Sequence, residues 1–313
     1  MLSIVITTSP IQSHPSTDVI DQVINSFDLL QLDCSSNDTS NNNNNVLKKI
    51  QVLIVCDGYK VNQNHAYKSG KITQQKSVDY ELYVERLKHK YMVDSDGNNC
   101  NDDNNNDDNI NNDDSNNHND GNNCNDNKFI FTVIQRDKNY GFADNVKYAL
   151  EWITTKYVMV VQHDWIFSTH IPVTKLLQLM DVQVNINYIN FISSSTTDYL
   201  NKYHGVCGHH VTKVCNYDIP LVPLPFWYDK PHICRTDYYK SHVFGKQHYN
   251  CQTLKYIRIN RFVEDTYGHI ILNDIKHHGL IAHAKYGTFL YYDQPHIPQV
   301  LHINGRSFRC KEQ

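Results

Sequence analysis

Four apolar runs, at residues 2–7, 51–56, 129–135 and 157–161, limit what this chain can fold into more than any other feature of it. All read as strands, and the fourth, Tyr157 to Val161, is near-continuously apolar. That is the pattern of a parallel sheet covered on both sides. Helical spacing intervenes at about 16–30, 78–92 and 143–153. The alternation predicts an α/β architecture, a mostly parallel sheet flanked by helices.

Two stretches do not belong to that sheet. Residues 41–45 are all Asn, and residues 94–127 hold ten Asp and no Glu, Lys or Arg. With almost nothing apolar to bury, neither offsets a backbone ordering cost of about 1–2 kcal/mol per residue. Both are expected to be disordered insertions in surface connections, where added length costs little closure entropy. The chain carries 29 Lys plus Arg against 33 Asp plus Glu, and setting aside the ten acids of the tract leaves 29 − 23 = +6 elsewhere. This balance excludes a uniformly acidic protein and a strongly basic nucleic-acid binder, and it suits a locally positive cleft for an anionic small molecule. No run of about 18 apolar residues is available to span a membrane, and the start lacks the basic and small-residue signature of a signal peptide. Nine Cys, with Cys100 and Cys124 inside the acidic tract, fit reduced thiols and a cytoplasmic location.

Beyond residue 165 the pattern loosens. It gives a helix at about 171–180, a strand at 188–193, and a Pro- and aromatic-rich stretch at 220–232 expected to loop over a site. A further helix is opened by Glu264-Asp265 and closed by Gly279, where a left-handed cap costs least.

Ligands of open parallel sheets bind outside the carboxyl ends of the strands. The four runs end in Thr7-Thr8-Ser9-Pro10, Asp57-Gly58, Arg136-Asp137-Lys138-Asn139-Tyr140-Gly141 and Gln162-His163-Asp164-Trp165. Thr7 and Thr8 offer hydroxyls, Asp57 a carboxylate for a nucleobase or ribose, and Arg136 and Lys138 charge for a diphosphate. The first two ends also read as ordinary turns. Asp164 is the sharpest signal, because a carboxylate directly after a buried strand suits a divalent metal that neutralises phosphate on a leaving group. The bland reading is a helix cap, a role for which Ser168 or Thr169 is better placed. In Leu224-Pro225-Phe226-Trp227-Tyr228-Asp229-Lys230-Pro231-His232, Trp227 and Tyr228 suit stacking on a sugar ring, the alternative being that clustered aromatics fill a core. Cys207, His209, His210 and Cys215, with Cys234 or Cys251, would be a structural zinc site, at a spacing that fits no familiar finger.

The order of these segments resembles the GT-A-type glycosyltransferases, and within them the inverting family 2 enzymes. Ser3-Ile4-Val5-Ile6-Thr7-Thr8-Ser9-Pro10 and Val52-Leu53-Ile54-Val55-Cys56-Asp57-Gly58 look like the family's first two strands. Asn139-Tyr140-Gly141-Phe142-Ala143-Asp144-Asn145 is similar to its Asn-x-Gly-x-x-x-Asn segment, followed by a helix and a strand ending at the metal site. The resemblance implies a single GT-A-like (Rossmann-like) domain over residues 1–313, with 1–165 as the nucleotide-sugar-binding half and 166–313 as the acceptor-binding and catalytic half. It implies donor contacts from Thr7, Thr8, Asp57, Arg136, Asn139, Gly141, Asn145, His163 and Asp164, and a divalent cation, Mn²⁺ or Mg²⁺, on Asp164 and His302. Asp265, beside Glu264, would be the general base, with Trp227 and Tyr228 toward the acceptor. The partners implied are a UDP- or GDP-linked sugar and a glycan, protein or small-molecule hydroxyl acceptor, with no nucleic acid.

Two positions depart from the family. Gln162-His163-Asp164 keeps only the last acid of the metal triplet, and Cys56 stands where a first acid is common. A non-catalytic GT-A-like module that binds a nucleotide sugar, glycan or protein is therefore the rival reading. Nucleotidyl transfer onto sugar phosphates is a third, and it would want a Gly-rich basic loop where Thr8-Ser9-Pro10 stands.

Overall fold

A computed structural model of the chain describes residues 2–32, 49–62, 70–92, 128–201, 204, 219–245, 248–250, 255–257 and 262–304. The Asn-rich stretches at 41–45 and 94–127 lie outside these residues, as do Cys207, His209, His210, Cys215 and Cys251. No helix among the described residues is long and apolar enough to cross a membrane.

Strands form at all four apolar runs: β1 (Leu2–Thr8), β2 (Ile50–Cys56), β3 (Phe129–Gln135) and β4 (Tyr157–Gln162). β1 lies between β2 and β4 and is parallel to both, with Thr7 opposite Val55 on one side and Gln162 on the other. β3 adds in parallel beyond β2. The second half contributes β5 (Tyr188–Phe191), β6 (Leu221–Pro223), β7 (His232–Arg235) and β8 (Thr288–Tyr291). Together they make an eight-stranded sheet in the order β3-β2-β1-β4-β7-β5-β8-β6. β7 and β6 run against the other six.

Two cores explain why β1, β2 and β4 are largely apolar; β3, at the sheet edge, has only Val133 buried, so the expected cover on both faces does not extend to it. Ile4, Ile6, Ile54 and Cys56 belong to one core, with residues of α1 (Asp18–Asn25) and α2 (Gln74–Tyr91). Val5, Leu53 and Val55 belong to the other, with residues of α3 (Phe142–Glu151). Alternate side chains point to opposite faces, so a strand covered on both faces leaves no position for water. Of the remaining helices, α4 (Val173–Val182) joins the first core through Val173, Leu176 and Met180, and α5 (His269–His278) joins the second through Ile271 and Ile275.

Local chemistry moves several boundaries away from the apolar spacing. α2 begins a turn before residue 78 because the Thr73 hydroxyl accepts from Lys76 N at 3.3 Å, capping the helix there. The pattern at 16–30 is α-helical only to Asn25 and then tightens into a 3₁₀ turn, Ser26–Leu29. The stretch at 220–232 is not all loop: Leu221–Pro223 forms the outermost strand, an edge where Pro is tolerated. The acidic pair opens a π-helical turn, Glu264–Gly268, before α5 begins. That turn passes tightly over the aromatic loop, since a Cβ on Gly268 would stand 2.8 Å from the Trp227 carbonyl oxygen. Single π turns of this kind recur at functional sites.

Candidate active site at the β1–β4 switch point

The chain steps outward from β1 to β2 to β3 and then returns to β4 on the far side of β1. The order therefore reverses between β1 and β4, and that reversal opens a crevice at their carboxyl ends. His163 N donates to the Thr7 carbonyl at 2.9 Å, and His163 Nδ1 lies 3.3 Å from the same oxygen. Its Nε2 is buried and has no hydrogen-bond partner. Asp164 comes next, 8% exposed, with Oδ2 3.0 Å from His302 Nε2 and Oδ1 buried without a partner.

His302 reaches Asp164 because the strand Val300–His302 pairs antiparallel with Trp165–Phe167, placing His302 opposite Trp165. Ile303 N then closes on the Asp164 carbonyl at 2.9 Å. Burial pushes the Asp164 carboxyl up, but His163 and His302 outweigh it and hold the group below the usual carboxylate range. A carboxylate with one unpartnered oxygen beside an imidazole offers ligand types that suit a divalent cation. Among the described residues no cluster of three or more His, Cys, Asp or Glu forms a self-sufficient cage. Gln162, at the first position of the triplet, donates its Nε2 to the Asp229 carbonyl at 3.0 Å.

Asp57 has a different role from the one expected of it. Its Oδ2 accepts from Asn139 Nδ2 at 2.7 Å and Gly141 N at 3.0 Å, and its Oδ1 from Tyr140 N at 2.8 Å. At 2% exposure it offers no face to a nucleobase or ribose and instead pins the 139–141 turn that starts α3. Gly141 takes φ +85° there, a value that strains any residue with a Cβ. Burial pushes the Asp57 carboxyl up against the pull of its donors, led by Tyr140 N. Asp57→Ala should lower stability by about 2–4 kcal/mol, because two backbone N–H groups lose their acceptor. Urea titration of the variant checks this, and Asp57→Asn, which keeps an acceptor oxygen, should cost less.

Other predicted donor contacts are also committed to the scaffold. The Thr8 hydroxyl is 3.0 Å from the Tyr83 hydroxyl of α2. The Arg136 guanidinium lies over the rings of Tyr140 and Tyr148, at 4.1 and 3.9 Å. Asn145 is 2% exposed within α3. Thr7, His163 and Asp164 are the predicted residues that the fold brings to the crevice itself.

The acidic turn reaches the same rim through a residue that sequence reasoning passed over. Asp229 N donates to Glu264 Oε2 at 3.2 Å, and Glu264 N donates back to Asp229 Oδ2 at 3.3 Å. With Gln162 bonded to the Asp229 carbonyl, the end of β4, the aromatic loop and the Glu264 turn form one connected unit. Glu264 is half-buried and committed to this exchange, whereas Asp265 is exposed. The only sign of Asp229 in the sequence is an acid set among aromatics and prolines.

Trp227 corrects a second expectation. It is fully buried, its ring 4.2 Å from Tyr188, 5.1 Å from Tyr239 and 5.5 Å from Tyr267. It anchors the second core and offers no stacking face. Tyr228 keeps a half-buried ring, with Lys230 Nζ 4.6 Å from its centre. Cys234, held in reserve for zinc, is buried in β7, and burial pushes its thiol well up.

No known protein family matches the sequence, and no curated protein does. Among solved structures, TarS of S. aureus in complex with UDP is similar over 96% of this chain, with 10% identity and a TM-score of 0.43. A mannosyltransferase from Pyrobaculum calidifontis, PcManGT, in complex with GDP-Man and Mn²⁺ is similar over 76%, with 6% identity and a TM-score of 0.37. The matches span 59% and 45% of those two chains. A likeness of this size leaves function to be read from the site itself.

Proposed function

We propose that the chain is a glycosyltransferase that moves a sugar from a UDP- or GDP-linked donor to a hydroxyl acceptor with inversion. The observation that supports this best is one connected rim: Asp164 and His302 meet at the switch point, and Gln162 and Asp229 tie that point to the acidic turn. A metal-competent carboxylate and an exposed carboxylate on one rim are what displacement at an anomeric carbon requires. Residues 1–165 would take the donor and 166–313 the acceptor. Asp164 and His302 would hold a divalent cation, Mn²⁺ or Mg²⁺, which when bound neutralises charge on the departing diphosphate. Asp265 takes the acceptor proton, and Tyr228, near Lys230, lines the acceptor side.

Incubation with UDP- and GDP-sugars, Mn²⁺ or Mg²⁺ and a panel of hydroxyl acceptors should release nucleoside diphosphate. Asp164→Ala should weaken nucleoside diphosphate binding about 10–100-fold when Mn²⁺ is present, with a much smaller effect in EDTA, as read by calorimetry. Tight binding without release would favour the non-catalytic module, and pyrophosphate release would point to nucleotidyl transfer.

A further inference from the structure

Asp229 meets the acidic turn and the β4 rim at once. Its carbonyl accepts from Gln162 Nε2 at 3.0 Å, its N–H donates to Glu264 Oε2 at 3.2 Å, and its Oδ2 accepts from Glu264 N at 3.3 Å. It is 2% exposed, and its Oδ1 is buried with no hydrogen-bond partner. Glu264 and Asp265 face it from the turn, Tyr188 from β5 and Tyr239 from the segment after β7. Lys230, next in sequence, directs its ammonium to Ser193 Oγ at 2.8 Å.

We propose that Asp229 is a positioning residue, the clamp that fixes the turn carrying Glu264 and Asp265 at a set distance from the rim carrying Asp164. The proposal rests on the transferase reading above. It goes further by assigning to a buried fourth acid the alignment of the turn's two carboxylates with Asp164. Burial, and after it the charge of Glu264, push the Asp229 carboxyl well above its usual range. A neutral carboxyl still accepts from Glu264 N through Oδ2, whereas an ionised one would repel Glu264. An amide should therefore serve in its place.

The test compares Asp229→Ala with Asp229→Asn in the full chain. Asp229→Ala should lower kcat about 10²-fold at unchanged donor KM, the scale of an ångström-sized misplacement, and Asp229→Asn should recover most of it. Hydrogen exchange at the Glu264 amide should become about five- to tenfold faster in the Ala variant and stay protected in the Asn variant.

Stability against pH gives a third reading. An acid whose folded pKa is raised contributes stability that is fully present below the ordinary aspartate value of about 4. That stability is lost as pH rises through the folded value. The denaturation midpoint of the wild type should carry this fall, and that of Asp229→Asn should lack it. An Asn variant as impaired in kcat as the Ala variant would overturn the clamp, as would unchanged Glu264 exchange in Asp229→Ala. A wild-type pH slope retained in Asp229→Asn would do the same. Should Asp229→Ala not fold, the Asn variant decides through exchange and pH slope. A wild type inactive with every donor would remove the transferase reading and leave the clamp to be judged on exchange and pH slope.

Discussion

Asp265→Asn should lower kcat for sugar transfer by about 10²–10⁴-fold, the contribution of a positioned general base, while nucleotide affinity stays at its wild-type value. Of the two acids in the turn, Glu264 is half-buried and accepts from Asp229 N, whereas Asp265 is exposed. Asn has the shape of Asp without the basic oxygen, so a loss in kcat at constant donor binding isolates proton removal from positioning. Glu264→Gln is the internal control, because its amide oxygen still accepts from Asp229 N, and its effect should be smaller by at least about tenfold. Equal turnover by wild type and Asp265→Asn would remove Asp265 from the chemistry.

Trp227→Ala should destabilise the protein by about 3–5 kcal/mol, the range for deleting a large aromatic from a packed core. The indole is fully buried and wedged between Tyr188, Tyr239 and Tyr267, so truncation opens a cavity that these rings cannot fill without losing contact with one another. A stacking platform would behave in the opposite way, with little change in the denaturation midpoint and a large loss of sugar affinity. Thermal or urea unfolding, together with a binding isotherm, separates the two. Retained stability with lost affinity would return Trp227 to the site.

β1, β2 and β4 were legible because burial on both faces imposes nearly unbroken apolar runs, whereas β3, at the sheet edge with Val133 alone buried, is apolar without that cover. The crevice was legible for the same reason: in a parallel sheet the residues that follow such runs gather at one edge, as Thr7, His163 and Asp164 do. The later strands are three or four residues long, and β7 runs against its neighbours, so no periodicity announces them. Asp57 and Trp227 were misassigned for a shared reason. The residue type fits both a ligand contact and an internal bond, and only the fold shows that Asn139, Tyr140 and Gly141 take up the carboxylate. Asp229 left no pattern at all, because its partners are 35 and 67 positions away.

The pairing of Val300–His302 with Trp165–Phe167 has a consequence for the order of assembly. Asp164 waits 138 positions for its imidazole, so a nascent polypeptide already carries β1 to β4 long before the ribosome delivers His302. Closing so distant a contact is slow compared with forming the local sheet around it. The Asp164–His302 contact therefore closes after the strand pairings on which it rests.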